Sequence, residues 1–178
     1  MSISKKTELV IDHRFNSKSC RHSLNGVVHV LHCHHFLALY TQLADDIGML
    51  DGKALLANVT EDVFTKMLSE YYANNCIDSI EDRLNIACQM YSEAGLGKMV
   101  IDCAGPESGE ISLPVSHVDE GWIRKWGKRD KPVNFVSQGF ISGVFSAVFD
   151  LPARSYKCME TESVVSGAAV SLFEVTRV

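Results

Sequence analysis

The residues most able to do chemistry are histidines that cluster in one uncharged stretch of the sequence. Five of the 7 histidines lie between residues 22 and 44, a stretch without Asp, Glu, Lys or Arg. The cluster, with its one cysteine, consists of His22, His29, His32, Cys33, His34 and His35. Imidazole and thiolate groups are ligands that Zn²⁺ favours, and imidazole also binds haem iron. The stretch therefore indicates a metal site, a tetrapyrrole site or the polar lining of a ligand cavity.

A single long helix over residues 22–44 would bring these side chains together. The stretch is apolar on nearly all sides, which is typical of a helix in a core or an interface, and its histidines argue against a membrane span. Residues three or four positions apart share a helix face, so His29 and Cys33 would be neighbours. The candidate metal ligands are His29, His32, Cys33 and His35. The alternative is that these histidines only pack against carbonyl groups or a partner's helix.

No motif in the sequence indicates an enzyme. The patterns for covalent haem attachment (C-x-x-C-H) and for zinc peptidases (H-E-x-x-H) are absent. A nucleophile elbow (G-x-S-x-G) and a phosphate loop are absent too, and nothing resembles a nicotinamide or flavin site. His117, Asp119 and Glu120 could form a small acid–base group, but helix capping and solvated charge explain them more simply. We therefore predict a binding protein rather than an enzyme.

The composition describes an ordinary folded protein. With 178 residues, 46% hydrophobic and 22% charged, the chain suits one domain with a sizeable core. The net charge is −5 and no basic block occurs, so we expect no nucleic-acid partner. The 6 cysteines are scattered, and the first residues lack the apolar region of a secretory signal. Both features favour free thiols in the cytoplasm.

Periodicity and capping residues predict an α+β protein. The predicted helices are residues 22–44, 60–75, 78–95, a short helix around Trp122, and 133–149. Expected N-caps include Thr60, Ser79, and Ser116 or Asp119. The predicted strands are residues 98–103, 110–115, 154–162 and 168–175, and residues 8–13 could be an edge strand or an extended arm.

The order of these elements indicates how they pack. We expect one domain over residues 1–178, with a mainly helical half (1–94) followed by a hairpin–helix–hairpin half (95–178). Helices would cover one face of an antiparallel sheet of about four strands.

The C-terminal half carries motifs that resemble a known family. The uncharged helix contains Gly139-Phe140-Ile141-Ser142-Gly143, the next strand ends in Glu160-Thr161-Glu162-Ser163, and the last strand contains Ser171-Leu172-Phe173. This arrangement resembles the 4-vinyl reductase or hydrocarbon-binding family of small-molecule-binding domains, which includes sensory domains of aromatic-responsive transcription activators. A similar fold occurs in Golgi-transport tethering subunits and, more distantly, in haem-based nitric-oxide sensors. The resemblance implies a homodimer built from long helices, and an apolar cavity between helices and sheet.

One departure from the family concerns a metal. In the sensory relatives, a glutamate and two cysteines of the last hairpin help to hold a zinc ion. Glu160 is kept here, but Ser163 and Ser171 stand at the cysteine positions. Because hydroxyl groups are poor zinc ligands beside thiolates, we expect this zinc site to be absent.

The sequence therefore predicts a module that binds a small apolar ligand (a hydrocarbon, an aromatic compound or a tetrapyrrole) as a sensor or carrier. Candidate wall residues are His29, His32, Cys33, Phe36, Tyr40, Phe140 and Gly143. Gly139 and Gly143 would let a backbone or a flat ligand approach closely. Two alternatives stay open: a metal-, haem- or tetrapyrrole-binding sensor or accessory protein that uses the histidine cluster, and a structural subunit for dimerisation or tethering.

Overall fold

Two antiparallel sheets and five α-helices make up the part of the chain that the computed structural model describes, residues 7–30 and 33–178. The strands are β1 (His13–Asn16), β2 (Arg21–Leu24), β3 (Val27–His29), β4 (Gly97–Ala104), β5 (Ser108–Ser116), β6 (Tyr156–Glu162) and β7 (Ser171–Arg177). The helices are α1 (His34–Asp46), α2 (Gly52–Asn75), α3 (Ile80–Glu93), α4 (His117–Trp126) and α5 (Phe135–Val148).

The larger sheet confirms the predicted α+β class. It has four antiparallel strands in the order β4-β5-β7-β6. Alternate side chains of its strands are buried, as expected for a sheet with one covered face. α5 lies against β6 and β7 on that face, α3 lies against β4, and α2 packs along α5. The main core between these layers includes Tyr91, Phe140, Phe145 and Phe173.

The contact between α2 and α5 explains the two glycines of the uncharged helix. A Cβ atom at Gly139 would lie 2.0 Å from the carbonyl oxygen of Ala57, and one at Gly143 would lie 3.1 Å from that of Glu61. The glycines therefore accommodate the backbone of α2. α5 is uncharged because it is enclosed between α2 and the sheet, where nearly all its residues are buried.

The prediction of one helix over residues 22–44 is wrong. The chain instead forms β2 and β3, and α1 begins only at His34. The cause is the pair Asn25-Gly26, whose φ angles are 47° and 83°. Two successive residues with positive φ form the tight turn that suits a two-residue hairpin, and Asn-Gly is the sequence that favours it most. The uncharged composition had concealed this turn.

Two further predictions for the first half need correction. Residues 13–29 form a three-stranded sheet in the order β1-β2-β3, which the sequence did not predict, within a half whose other elements are the helices α1 to α3. α2 begins at Gly52 instead of Thr60, because the side chain of Asp51 accepts a hydrogen bond from the Ala54 N–H at 3.0 Å. Thr60 lies inside α2, where its hydroxyl donates to the Leu56 carbonyl.

The residues before β1 form an arm across the helices. The backbone N–H of Leu9 donates to Gln89 Oε1 at 2.9 Å, and that of Val10 donates to the Tyr71 hydroxyl at 2.8 Å. The arm leads into the small sheet and holds one end of it near α3. Within residues 7–30 and 33–178, no helix is both long and apolar enough to cross a bilayer.

Candidate functional site

A cleft of about 590 Å³ lies between the small sheet and the connection from α3 to β4. Its lining consists of Ile11, His13, His22, Leu24, His29, Val30, Glu93, Ala94, Gly95, Leu96 and His117. The volume is in the range of small-molecule sites, which combine apolar walls with a few polar groups. Here the polar groups are mostly imidazoles.

The small sheet presents three of these histidines on one face. Alternate residues of a strand point to the same face, and the register pairs His22 with His29 and His13 with Leu24. His13 Nε2 lies 3.0 Å from His22 Nδ1, and the two rings are stacked with centroids 5.2 Å apart. A hydrogen bond between two ring nitrogens needs one nitrogen without a proton, so at least one of these rings is neutral.

His29 is the histidine with an unsatisfied nitrogen. Its Nε2 atom is buried and has no hydrogen-bond partner among residues 7–30 and 33–178. Burial, followed by the charge of His13, lowers the pKa of His29 below its ordinary value of 6.5. The ring is therefore neutral at pH 7. A buried polar atom without a partner costs about 1–3 kcal/mol, which a polar group of a ligand would recover.

The far wall of the cleft is fixed by the start of α4. Ser116 caps this helix by accepting a hydrogen bond from the Asp119 N–H at 3.1 Å. The backbone N–H of His117 donates to the Leu96 carbonyl at 3.0 Å, which joins two parts of the cleft lining. The His117 ring meets the His34 ring edge-on, with centroids 5.9 Å apart. Thus the first residue of α1 supports the wall.

The structure separates the residues predicted to form the site. His29 lines the cleft. Cys33 and His35 lie at the exposed start of α1, with Cys33 Sγ 3.6 Å from His35 Nδ1. Phe36 and Tyr40 lie on the outer face of α1, where 51% and 48% of their surface is exposed. His32 lies outside the described residues.

The two predicted wall residues of α5 do not line the cleft. Phe140 is fully buried in the main core, where its ring lies 4.5 Å from that of Phe64 and 5.0 Å from that of Tyr91. Gly143 lies against the backbone of α2. Residues 7–30 and 33–178 contain no group of three or more His, Cys, Asp or Glu side chains arranged to hold a metal ion. The metal assignment to His29, His32, Cys33 and His35 stays a prediction.

The sequence did not identify His13 and His117 as site residues, nor the cleft itself. The available signal was the Asn25-Gly26 pair between RHSL and VVH, which would have predicted a hairpin with His22 opposite His29. No local signal places His117 nearby, because the helix that carries it arrives from far along the chain.

A second polar feature lies inside the protein, behind this wall. Asn134 Nδ2 donates to Asp119 Oδ1 at 2.9 Å and to Glu160 Oε1 at 2.8 Å. Its backbone N–H donates to Glu160 Oε2 at 3.1 Å. Ser171 donates to Asp119 Oδ2 at 2.8 Å. Burial raises the pKa of both the Asp119 and Glu160 carboxyls.

Comparisons with known proteins agree at the level of the fold. No family model matches the sequence, and no curated protein matches it. The structure is similar to the phenol-responsive sensory domain of the transcription activator PoxR with phenol, with a TM-score of 0.77 and 17% identity over 93% of this chain and 84% of that chain.

Two other solved structures are more distant. A vinyl-4-reductase family protein from Methanocaldococcus jannaschii has a TM-score of 0.52 and 16% identity over 80% of this chain and 77% of that chain. A trafficking protein particle complex subunit 3 from Naegleria fowleri, covalently bound to palmitic acid, has a TM-score of 0.53 and 12% identity over 82% and 95%. The chain therefore has the fold that the PoxR sensory domain shares with the vinyl-4-reductase family protein, as the C-terminal motifs predicted.

Proposed function

We propose that the protein binds a small molecule in the histidine-lined cleft and acts as a sensor or carrier without catalysis. The observation that carries this proposal is the unsatisfied Nε2 atom of His29 in the wall of a cleft of about 590 Å³. The similarity to a phenol-responsive sensory domain supports small-ligand binding in general.

The lining suits a ligand with an apolar body and one polar group. Ile11, Leu24 and Leu96 would bury the apolar body, which contributes about 25 cal/mol per Å² before the costs of binding are subtracted. His29 would hydrogen-bond a hydroxyl or carbonyl group of the ligand. Of the described wall residues that the sequence predicted, His29 lines this cleft, and the others lie in the core or on the surface of α1.

Ligand binding is tested with phenol, indole and cyclohexanol as probes, measured by calorimetry and by native mass spectrometry. We expect at least one probe to bind, and the variant His29→Phe to weaken it about tenfold, because one hydrogen bond to a buried group contributes about 1–1.5 kcal/mol. His35→Phe is the matched control, since His35 lies on the exposed start of α1.

The outcomes separate the possibilities. If wild type and His29→Phe bind a probe with equal affinity, the probe binds outside the cleft. If none of the three probes binds, the proposal is wrong. An absorption spectrum and metal analysis of freshly purified protein test the tetrapyrrole and metal alternatives, which predict colour or stoichiometric metal.

We further propose that a second copy of the chain covers the outer faces of α1 and α2. The exposed apolar side chains there are Phe36, Leu39, Tyr40 and Leu43 of α1, Ile47 directly after it, and Leu55, Val59 and Val63 of α2. A patch of this kind marks an interaction surface. Residues 34–44 of α1 contain no Asp, Glu, Lys or Arg, so this part of two identical copies can face each other without repulsion between such charges.

Analytical ultracentrifugation tests this interface. We expect wild type to sediment as a dimer, and Tyr40→Glu/Leu43→Glu to sediment as a monomer that keeps its helical circular dichroism. Val10→Glu, which changes an exposed apolar residue of the arm, is the control and should stay dimeric. A monomeric wild type at micromolar concentration would contradict the proposal.

A further inference from the structure

Six buried polar residues meet where α4, the start of α5 and the β6–β7 hairpin converge. They are Ser116, Asp119, Asn134, Glu160, Ser163 and Ser171, none of which is more than 8% exposed. Buried polar groups persist in proteins when their hydrogen bonds are satisfied. Asn134 lies at the centre of this set and contacts three elements.

All four carboxylate oxygens of the two acids accept hydrogen bonds from the protein. Those of Glu160 accept from the side chain and backbone of Asn134. Those of Asp119 accept from Asn134 and from Ser171. Ser171 Oγ also accepts from the Val164 N–H at 3.0 Å, so its hydrogen-bonding capacity is committed in both directions. The centre of the set is filled by donors.

This arrangement does not fit the zinc ion that the family resemblance implies for the last hairpin. Zinc needs lone pairs directed at a common point. Here an amide N–H₂ group points at the carboxylate oxygens, and hydroxyl groups stand at the positions of the thiols. A metal ion would have to displace Asn134 from both carboxylates.

We propose that hydrogen bonds through Asn134 hold α4, α5 and the β6–β7 hairpin together in place of a zinc ion, and that the serines at positions 163 and 171 are what excludes the ion. The same hydrogen bonds also affect the ligand cleft. Ser116 donates to Asn134 Oδ1 at 3.0 Å, and Ser116 is the cap that sets the start of α4. The network therefore positions His117, the next residue, in the cleft wall.

The first test measures zinc and thermal stability of the purified wild-type protein in reducing buffer. We expect no stoichiometric zinc and the same Tm with and without EDTA. Asn134→Ala should lower Tm by at least about 4 °C, because it removes one hydrogen-bond donor from each of two buried carboxyls, and added zinc should not restore it. Stoichiometric zinc that the variant Glu160→Gln abolishes, or an unchanged Tm of Asn134→Ala, would overturn the proposal.

The second test installs the missing ligands. Ser163→Cys/Ser171→Cys supplies two thiolates beside Glu160, and we expect it to bind one zinc per chain and to rise in Tm on zinc addition. With cobalt in place of zinc, it should show thiolate-to-metal absorption. Ser92→Cys/Ser108→Cys adds the same number of thiols at exposed positions on α3 and β5, away from the network, and should gain neither property.

A folded double variant that takes up no more zinc than this control would refute the claim that Ser163 and Ser171 are what excludes the ion. If the double variant does not fold, the wild-type metal analysis and the Asn134→Ala measurement still decide whether hydrogen bonds replace the metal. Neither test depends on the proposed ligand.

Discussion

His22 and His29 lie opposite each other on β2 and β3, joined by the two-residue turn at Asn25 and Gly26. This register places both rings on one face of the small sheet, and that face forms the histidine-lined wall of the cleft. The cleft therefore depends on a turn whose glycine has open space beside it: a Cβ atom at Gly26 would meet no described atom within 4 Å.

Gly26→Ala should weaken the cleft without a clash. The φ angle of 83° is one that side chains rarely adopt, so the substitution should cost about 1 kcal/mol through the backbone alone. We expect faster hydrogen exchange in β2 and β3 and weaker probe binding, with little change in the main core. Gly48→Ala is the control, because that position is equally open and has no positive φ. Equal exchange rates in both variants would contradict this role of the turn.

Gly139→Ala should destabilise the whole protein. Its Cβ would lie 2.0 Å from the Ala57 carbonyl oxygen, so α2 and α5 must separate. We expect the free energy of unfolding in urea to fall by about 2–3 kcal/mol. Gly105→Ala provides the comparison, since its Cβ would meet its nearest neighbour at an ordinary 3.6 Å. A loss of stability in Gly139→Ala no larger than in Gly105→Ala would show that the helices tolerate the extra volume.

The lowered pKa of His29 predicts a loss of stability in mild acid. Between this lowered pKa and 6.5, the unfolded state binds a proton that the folded state excludes. The stabilisation is complete above pH 6.5 and is lost as the pH falls through the lowered pKa. Urea unfolding between pH 7.5 and pH 5 should show a steeper decline for wild type than for His29→Gln. Parallel pH profiles would mean that His29 protonates equally in both states.

Arg154 holds a buried acid in place. Its Nη1 atom donates to Glu61 Oε2 at 2.9 Å, and Glu61 is only 4% exposed. Arg154→Met should lower the free energy of unfolding by about 1–3 kcal/mol, because it removes the guanidinium from the buried Glu61 carboxylate, which then keeps the backbone N–H of residue 154 as a donor. Arg177→Met breaks an exposed pair with Glu107 and should change stability by less than about 1 kcal/mol. Combining Arg154→Met with Glu61→Gln should recover part of the loss; no recovery would assign the effect to packing.

Local chemistry explains which parts of the fold were predictable. Ser79 and Ser116 cap α3 and α4 as expected, because a hydroxyl satisfies the N–H groups of the following turn wherever the helix lies. The uncharged α5 and the two strand pairs of the large sheet followed from patterns of a few residues.

The small sheet was missed although its signal is local. Its strands are short, and the uncharged composition of residues 22–44 favoured a helix over a turn at Asn25-Gly26. Once this turn is recognised, the pairing of His22 with His29 follows from the two-residue period of strands. The wall that the small sheet contributes to the cleft could therefore have been predicted from the sequence.

By itself, the sequence determined the element types, the helix caps, the hairpin turn and the identity of the chemical groups, because each depends on neighbours within a few residues. Tertiary structure alone decided which groups meet. His22 lines the same cleft as Leu96 and His117 only because the small sheet lies beside the connection from α3 to β4. Asn134 reaches Asp119, Glu160 and, through Asp119, Ser171 only where α4, α5 and the last hairpin converge. Contacts between distant residues depend on how whole elements pack, which no local spacing encodes.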